Sequence, residues 1–157
     1  MLRFSYVFFF LIVLLGMSGC EKKATGGVAQ MHWDRDMCER CKMAVSERKF
    51  AVQVIDPHGG RSYKFDDIGC AVLWLQEERI PWQDKAIIWI TDAATGEWID
   101  AKKAKYTAEA ITPMAFGFAA YTDQTLPKDA KVYDFATVAK EVVKIEAQNN
   151  AKLKGFR

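Results

Sequence analysis

From Phe4 to Met17 the chain carries no charge, and this run of 14 residues leads straight into Ser18-Gly19-Cys20. A bilayer core requires about 20 apolar residues in a helix, so the run is too short to span one. With Arg3 ahead of it, it has the length and flanks of a secretory signal. Small residues before a Cys, directly after such a run, resemble the bacterial lipobox, where the Cys thiol is acylated and becomes the new N-terminus. Met17 stands where Leu is usual. The alternative is an N-terminal anchor helix with an incidental Cys. The expectation is that residues 1–19 are a lipoprotein signal peptide and Cys20 the lipidation site. Residues 20–30, with Lys22, Lys23 and two glycines, then form a lipid-anchored tether. Acyl chains on Cys20 would hold the protein at a membrane of the bacterial cell envelope, with the folded domain in the periplasm.

Removing 19 of 157 residues leaves enough chain for one compact domain. Half of the sequence is apolar and 13% is aromatic, which excludes a mostly disordered chain. The 22 cations and 20 anions are interspersed, so the net charge of +2 lacks the clustered surplus that a nucleic-acid binder needs.

Of the four cysteines, setting Cys20 aside leaves Cys38, Cys41 and Cys70. An odd number in an oxidising compartment means that at least one thiol stays unpaired or binds something. Cys38 and Cys41 form C-x-x-C, which serves either redox exchange or metal ligation. Met43 follows by two positions. A thioether gives a redox pair nothing, whereas a soft monovalent ion such as Cu(I) selects polarisable sulfur. Zinc takes thiolate and imidazole in fours, and the sequence offers neither a second C-x-x-C nor a paired histidine, His32 and His58 lying 26 residues apart. Spacing alone leaves Cu(I), redox exchange, zinc and a structural disulfide open, and Met43 could equally fill core.

Phe50 to Asp56 has strand composition, Pro57 to Gly60 turns, and Arg61 to Phe65 alternates, which predicts a β-hairpin. Asp67 suits an N-cap, with Asp66 beside it, for a helix from Ile68 to Glu78 that Pro81 stops. A second hairpin is predicted over Ala86 to Asp100, and an offset of 36 residues places Asp56 on Asp92 and Gly60 on Gly96. This reads as a weak internal repeat. The alternative is two unrelated hairpins, whose turns converge on Asp and Gly for steric reasons. Ala101 to Lys105 is expected as a helical turn, and Tyr106 to Ile111 as a strand interrupted by Thr112-Pro113-Met114. Phe116 to Thr122 resumes extended structure, and Asp134 caps a last helix with Phe135, Val138, Ala139, Val142 and Ile145 on one face.

Cys38-x-x-Cys41-x-Met43, then Phe65-Asp66-Asp67-Ile68-Gly69-Cys70, then Thr112-Pro113-Met114, then Gly117-Phe118-Ala119-Ala120-Tyr121 occur in one order. In that order they resemble the NosL family, the lipoprotein copper chaperones of nitrous oxide reductase assembly. The resemblance runs from about Met37 to Val142. It implies an α+β fold of two stacked ββα-type units with antiparallel strands, related to organomercurial lyase, plus a C-terminal helix. The units fall at 31–84, with the C-x-x-C-x-M, and 85–147, with the T-P-M, leaving 148–157 as a frayed basic tail. It also implies Cu(I) as cargo, with nitrous oxide reductase and its membrane transporter assembly complex as partners. Position by position, it places metal ligands at Cys38, Cys41, Met43 and Met114, and no catalytic residue. Two departures stand out: Lys42 and Ala115 occupy positions where the family commonly has Gly.

A chaperone must hold copper and yet release it, which two- or three-coordinate thiolate and thioether ligation allows. Cys41 is expected as thiolate donor, Met114 joining from the second unit, and Cys38 or Met43 completing the site. That geometry requires the units to pack face to face. Cys70, in the first helical turn, reads as a further ligand, a disulfide partner or a small buried residue. Asp66 and Asp67 read as capping residues more than ligands, because carboxylate suits harder ions. Met31, His32 and Met37 add little, and the tryptophans read as core. The rival functions are a thiol-disulfide oxidoreductase using Cys38 and Cys41, a carbon–mercury bond-cleaving enzyme, and an envelope scaffold without metal.

Overall fold

The structure, a computed structural model, describes residues 27–155. The expected signal peptide, Cys20 and most of the tether lie outside the described residues. The fold is α+β, with antiparallel sheets and a C-terminal helix. Strands β1 (Val52–Ile55) and β2 (Ser62–Phe65) form the first hairpin, followed by helix α1 (Ile68–Glu77). A short 3-10 turn at Gln83–Lys85 leads to β3 (Ile87–Thr91) and β4 (Trp98–Asp100). Then come β5 (Lys105–Thr107), β6 (Ala119–Tyr121) and helix α2 (Phe135–Gly155).

Both hairpin turns are built alike, as the 36-residue offset predicts. Gly60 N donates to Asp56 O at 2.9 Å and Gly96 N to Asp92 O at 2.7 Å. Each Asp Oδ1 also accepts from the amide two residues on, His58 or Ala94, at 2.8 Å. Both turn glycines have positive φ, 68° and 78°, a conformation Gly adopts without steric cost. The hairpins do not stack face to face, however. They join side by side in one sheet of order β2-β1-β3-β4. Gln53 pairs with Trp89, its own counterpart in the repeat, and Val52 pairs with Ile90 as Val54 does with Ile88. The repeat therefore has a local two-fold relation about the Gln53–Trp89 pair. The physical reason for edge pairing is that β1 and β3 satisfy each other's backbone groups, which stacked hairpins would leave on open edges.

One sheet face carries Phe65, Val52, Val54, Ile88 and Ile90, all buried. Helix α1 packs on β1 and β2, with Trp74 against Tyr63 and Phe65 at ring separations of 4.6 and 5.3 Å. Every residue of α1 from Ile68 to Leu75 is buried, since α2 covers it from the other side. On the opposite face, buried Gln53 exchanges hydrogen bonds with the backbone of Ala29 at 2.9 Å in each direction, and Trp33 stacks on Trp98. The segment before β1 is thus laid across the sheet.

The second hairpin is not followed by a helix. Residues 101–104 form a turn in which Ala104 N donates to Asp100 O, and the chain enters β5 directly. The strands around the T-P-M are shorter than expected because Glu109, Ala115 and Gly117 all take positive φ. Helix α2 starts as expected, with Asp134 Oδ1 accepting from Thr137 N at 2.8 Å, and buries Val138 and Val142. It continues through residues 148–155, where a tail was expected. That stretch holds Ala, Lys and Leu, all good helix formers, and no Gly before Gly155. No helix among the described residues is long and apolar enough to cross a membrane.

Candidate metal centre

The C-x-x-C lies in a tight loop closed by an antiparallel bridge between Met37 and Ala44. Inside it, Cys38 N donates to Met43 O at 2.8 Å and Lys42 N to Cys38 O at 3.0 Å. Closing so few residues forces Lys42 into the left-handed region at φ 61°. Three contacts outside the loop hold it in place. Glu39 N donates to Lys64 O of β2 at 2.9 Å. Arg40, between the two cysteines, grips Glu77 of α1 through Nε and Nη2 at 2.9 and 2.8 Å, and Glu146 of α2 at 2.7 Å. Its guanidinium is held charged, chiefly by Glu77.

The opposite wall is the start of α1, where adjacent aspartates divide the work. Asp67 is the N-cap, with Oδ1 accepting from Gly69 N at 2.8 Å. Its Oδ2 accepts from Thr112 Oγ1 at 2.6 Å and from Met114 N at 3.3 Å, which ties the T-P-M loop to the helix start. Burial pushes the Asp67 carboxyl above its ordinary range despite these bonds. Asp66 faces the cysteines instead: Cys41 Sγ donates to its Oδ2 at 3.3 Å. Asp66 is 2% exposed, and its Oδ1 is the one buried side-chain polar atom among the described residues without a hydrogen-bond partner. Cys70, one turn further along α1, is fully buried.

One ligand atom each from Cys38, Cys41, Cys70 and Asp66 lies within 4.8 Å of all the others. Donors about 2.3 Å from a shared ion stand about 3.8 Å apart in a tetrahedron, so a contraction of about an ångström suffices to form a centre. All three thiols are free. This group could hold a metal ion. The thiols also share their protons unequally. The hydrogen bond from Cys70 lowers the Cys38 thiol from 9.0 to about 6. Cys41 is pushed up to about 12, by burial first. Cys70 is raised further still, chiefly because it donates to Cys38.

The expected site residues are therefore distributed as follows. Cys38 and Cys41 are in the cluster. Met43 is 49% exposed, attached to it through the carbonyl that accepts from Cys38. Met114 is partly buried against the core, its amide bonded to Asp67 beside Asp66. Neither His32 nor His58 belongs to the cluster. Of the three readings open for Cys70, its place in the cluster fits that of a further ligand, and Asp66, expected as a capping residue more than a ligand, adds an oxygen from beside it. The odd cysteine count was the signal for Cys70. The Asp66-Asp67 doublet was the signal for Asp66, since only one residue can be the cap.

Comparison with protein-family models gives no match, and comparison with curated protein sequences gives none either.

Proposed function

We propose that this protein is a Cu(I)-carrying lipoprotein of the bacterial envelope, which passes copper to the catalytic copper site of nitrous oxide reductase as NosL proteins do. The observation that carries the reading is the convergence of three free thiols on one point. Polarisable sulfur donors at low coordination number are what Cu(I) selects over harder ions. Cys38 and Cys70, fully buried, hold the cargo. Cys41, the least buried thiol, is where it arrives and leaves. The thioethers of Met43 and Met114 add neutral donors that can be displaced by an incoming ligand. A position left open lets the client's ligand attack before the last thiolate bond breaks. The rest of the reading follows the sequence resemblance: an acylated Cys20, a membrane transporter complex as further partner, and a fold related to organomercurial lyase.

Burial favours a carrier over a thiol-disulfide oxidoreductase. Exchange needs an accessible thiolate. Here Cys38 and Cys70 are fully buried and Cys41 is only partly exposed. The test is anaerobic Cu(I) titration of the reduced full chain against a chromophoric chelator. Cys41→Ser and Met114→Ala should each weaken binding by at least about tenfold, on the scale of losing one ligand's bond. Unchanged affinity in both variants removes the reading.

A further inference from the structure

We infer that the outer face of the sheet, the one turned away from α1, rests on the phospholipid headgroup layer through Trp33, Trp89 and Trp98. This rests on the lipoprotein reading above and adds to it the surface by which the domain meets its membrane, with α1 turned away from the bilayer.

The first observation is where the chain leaves the domain. Ala29 exchanges hydrogen bonds with Gln53 on the outer face, and Val28 before it is 38% exposed. Six residues, 21–26, separate Gly27 from Cys20. At no more than ~3.6 Å per residue, an acylated Cys20 stands within about 25 Å of Gly27. Helices α1 and α2 are stacked behind the sheet, each a layer of about 10 Å. The way round a sheet edge and past both layers is longer than that reach, so the helical side is not the side that meets lipid.

The second observation is the set of side chains on that face. Trp89 pairs with Gln53 and Trp98 with Thr91, which puts both indoles on the outer face, and Trp33 stacks on Trp98 with 6.4 Å between rings. All three are partly exposed. The Arg48 guanidinium lies 5.4 Å over the Trp33 ring. Indole, an apolar body with one N–H, settles at the headgroup level of a bilayer, and arginine reaches from there to phosphate. Net charge does not choose this face, because exposed Arg35, Arg48 and Lys49 are matched by exposed Asp34, Glu47 and Glu97. The indoles and the tether carry the contact, which therefore withstands salt. The remaining tryptophans, Trp74 and Trp82, pack with Tyr63 on the helical side, so the indoles themselves report which side touches lipid.

The experiment uses the full chain, purified from membranes and reconstituted into vesicles of phosphatidylcholine with one quarter phosphatidylglycerol. The phosphatidylcholine carries bromine on the acyl carbons nearest the headgroup, which quenches tryptophan at that depth. Wild-type emission should be quenched, at low and high salt alike. Trp33→Phe/Trp98→Phe should remove about two-thirds of the quenched emission, two of three facing indoles being gone, and Trp82→Phe should remove none. No quenching in the wild type, quenching that salt abolishes, or quenching lost in Trp82→Phe instead overturns the inference. If the double variant does not fold, hydroxyl-radical footprinting of the wild type decides. Trp33 and Trp98 protected by vesicles with Trp82 still oxidised uphold the inference, and the reverse overturns it. Mass spectrometry of the purified protein separates the two readings. Acylated Cys20 without quenching overturns this inference alone, whereas unacylated Cys20 overturns the lipoprotein reading and this inference with it.

Discussion

Gly69→Ala should destabilise the protein although it replaces a helix glycine by the best helix former. Gly69 is the second residue of α1, between the Asp67 cap and Cys70. In an exposed helix interior the change would stabilise by up to ~1 kcal/mol. Here a Cβ on residue 69 would stand 2.1 Å from Phe116 Cδ2, 2.3 Å from Cγ and 2.6 Å from Cε2. Ordinary carbon contacts begin at about 3.5 Å, so the ring must retreat by about 1.5 Å. Phe116 is 4% exposed and has nowhere to retreat without leaving the core. Overpacking of this kind costs about 1–3 kcal/mol, and expelling the ring costs about as much in lost burial. The net expectation is a loss of about 1–2 kcal/mol, or a fall in Tm of roughly 4–8 °C for a domain of this size. Urea unfolding followed by tryptophan fluorescence measures it. Shrinking the ring in the double variant Gly69→Ala/Phe116→Leu should make the alanine's own contribution favourable relative to Phe116→Leu alone. A single Gly69→Ala variant that gains stability would refute the claimed contact of ring and backbone. The metal site should respond too, since Phe116 follows the Met114 loop and Cys70 follows residue 69.

Ala115→Gly and Lys42→Gly should each stabilise the fold by about 1 kcal/mol, because both positions hold positive φ, 57° and 61°; equal or lower stability in denaturant melts contradicts this. Arg40→Ala should cost about 1–2 kcal/mol, less at high salt, by releasing Glu77 and Glu146 from a guanidinium that is 17% exposed. An effect independent of ionic strength would count against the ion-pair account. The pH response of the metal-free protein follows from the thiols. Cys38, lowered from 9.0 to about 6, contributes stability that is complete above pH 9 and lost as pH falls through 6. Cys41, raised from 9.0 to about 12, contributes stability that is complete below pH 9 and lost as pH rises through 12. Ultraviolet thiolate absorbance should thus show a step near pH 6 that Cys38→Ser abolishes; a step surviving that substitution assigns the thiolate elsewhere.

The elements that local chemistry dictates were legible in the amino-acid order. Strand composition, an Asp and a Gly at each turn, and a single Asp cap yield both hairpins and α1 close to their observed bounds. The 36-residue offset even carries the geometry of the turns. What it could not carry was how two alike hairpins meet. Edge pairing and face packing present the same alternation of apolar residues along a strand, and only the long-range fit of β1 to β3 separates them. The end of α2 was misread for the opposite reason. Residues 148–155 are exposed, yet helix propensity without burial suffices to continue a helix already begun.

The candidate site divides in the same way. Two residues between Cys38 and Cys41 already bring those sulfurs to one side of a short loop, so that half of the cluster is a property of local chain geometry. Cys70 and Asp66 lie 25 or more residues further on, and no rule of spacing can aim them. Their placement depends on Glu39 hanging on β2, on Arg40 reaching both helices, and on Asp67 taking the capping role so that its neighbour turns inward. Each is a contact between distant segments. Proximity across such distances arises only when the whole chain packs, because the free energy that orders it is shared among all the elements it joins.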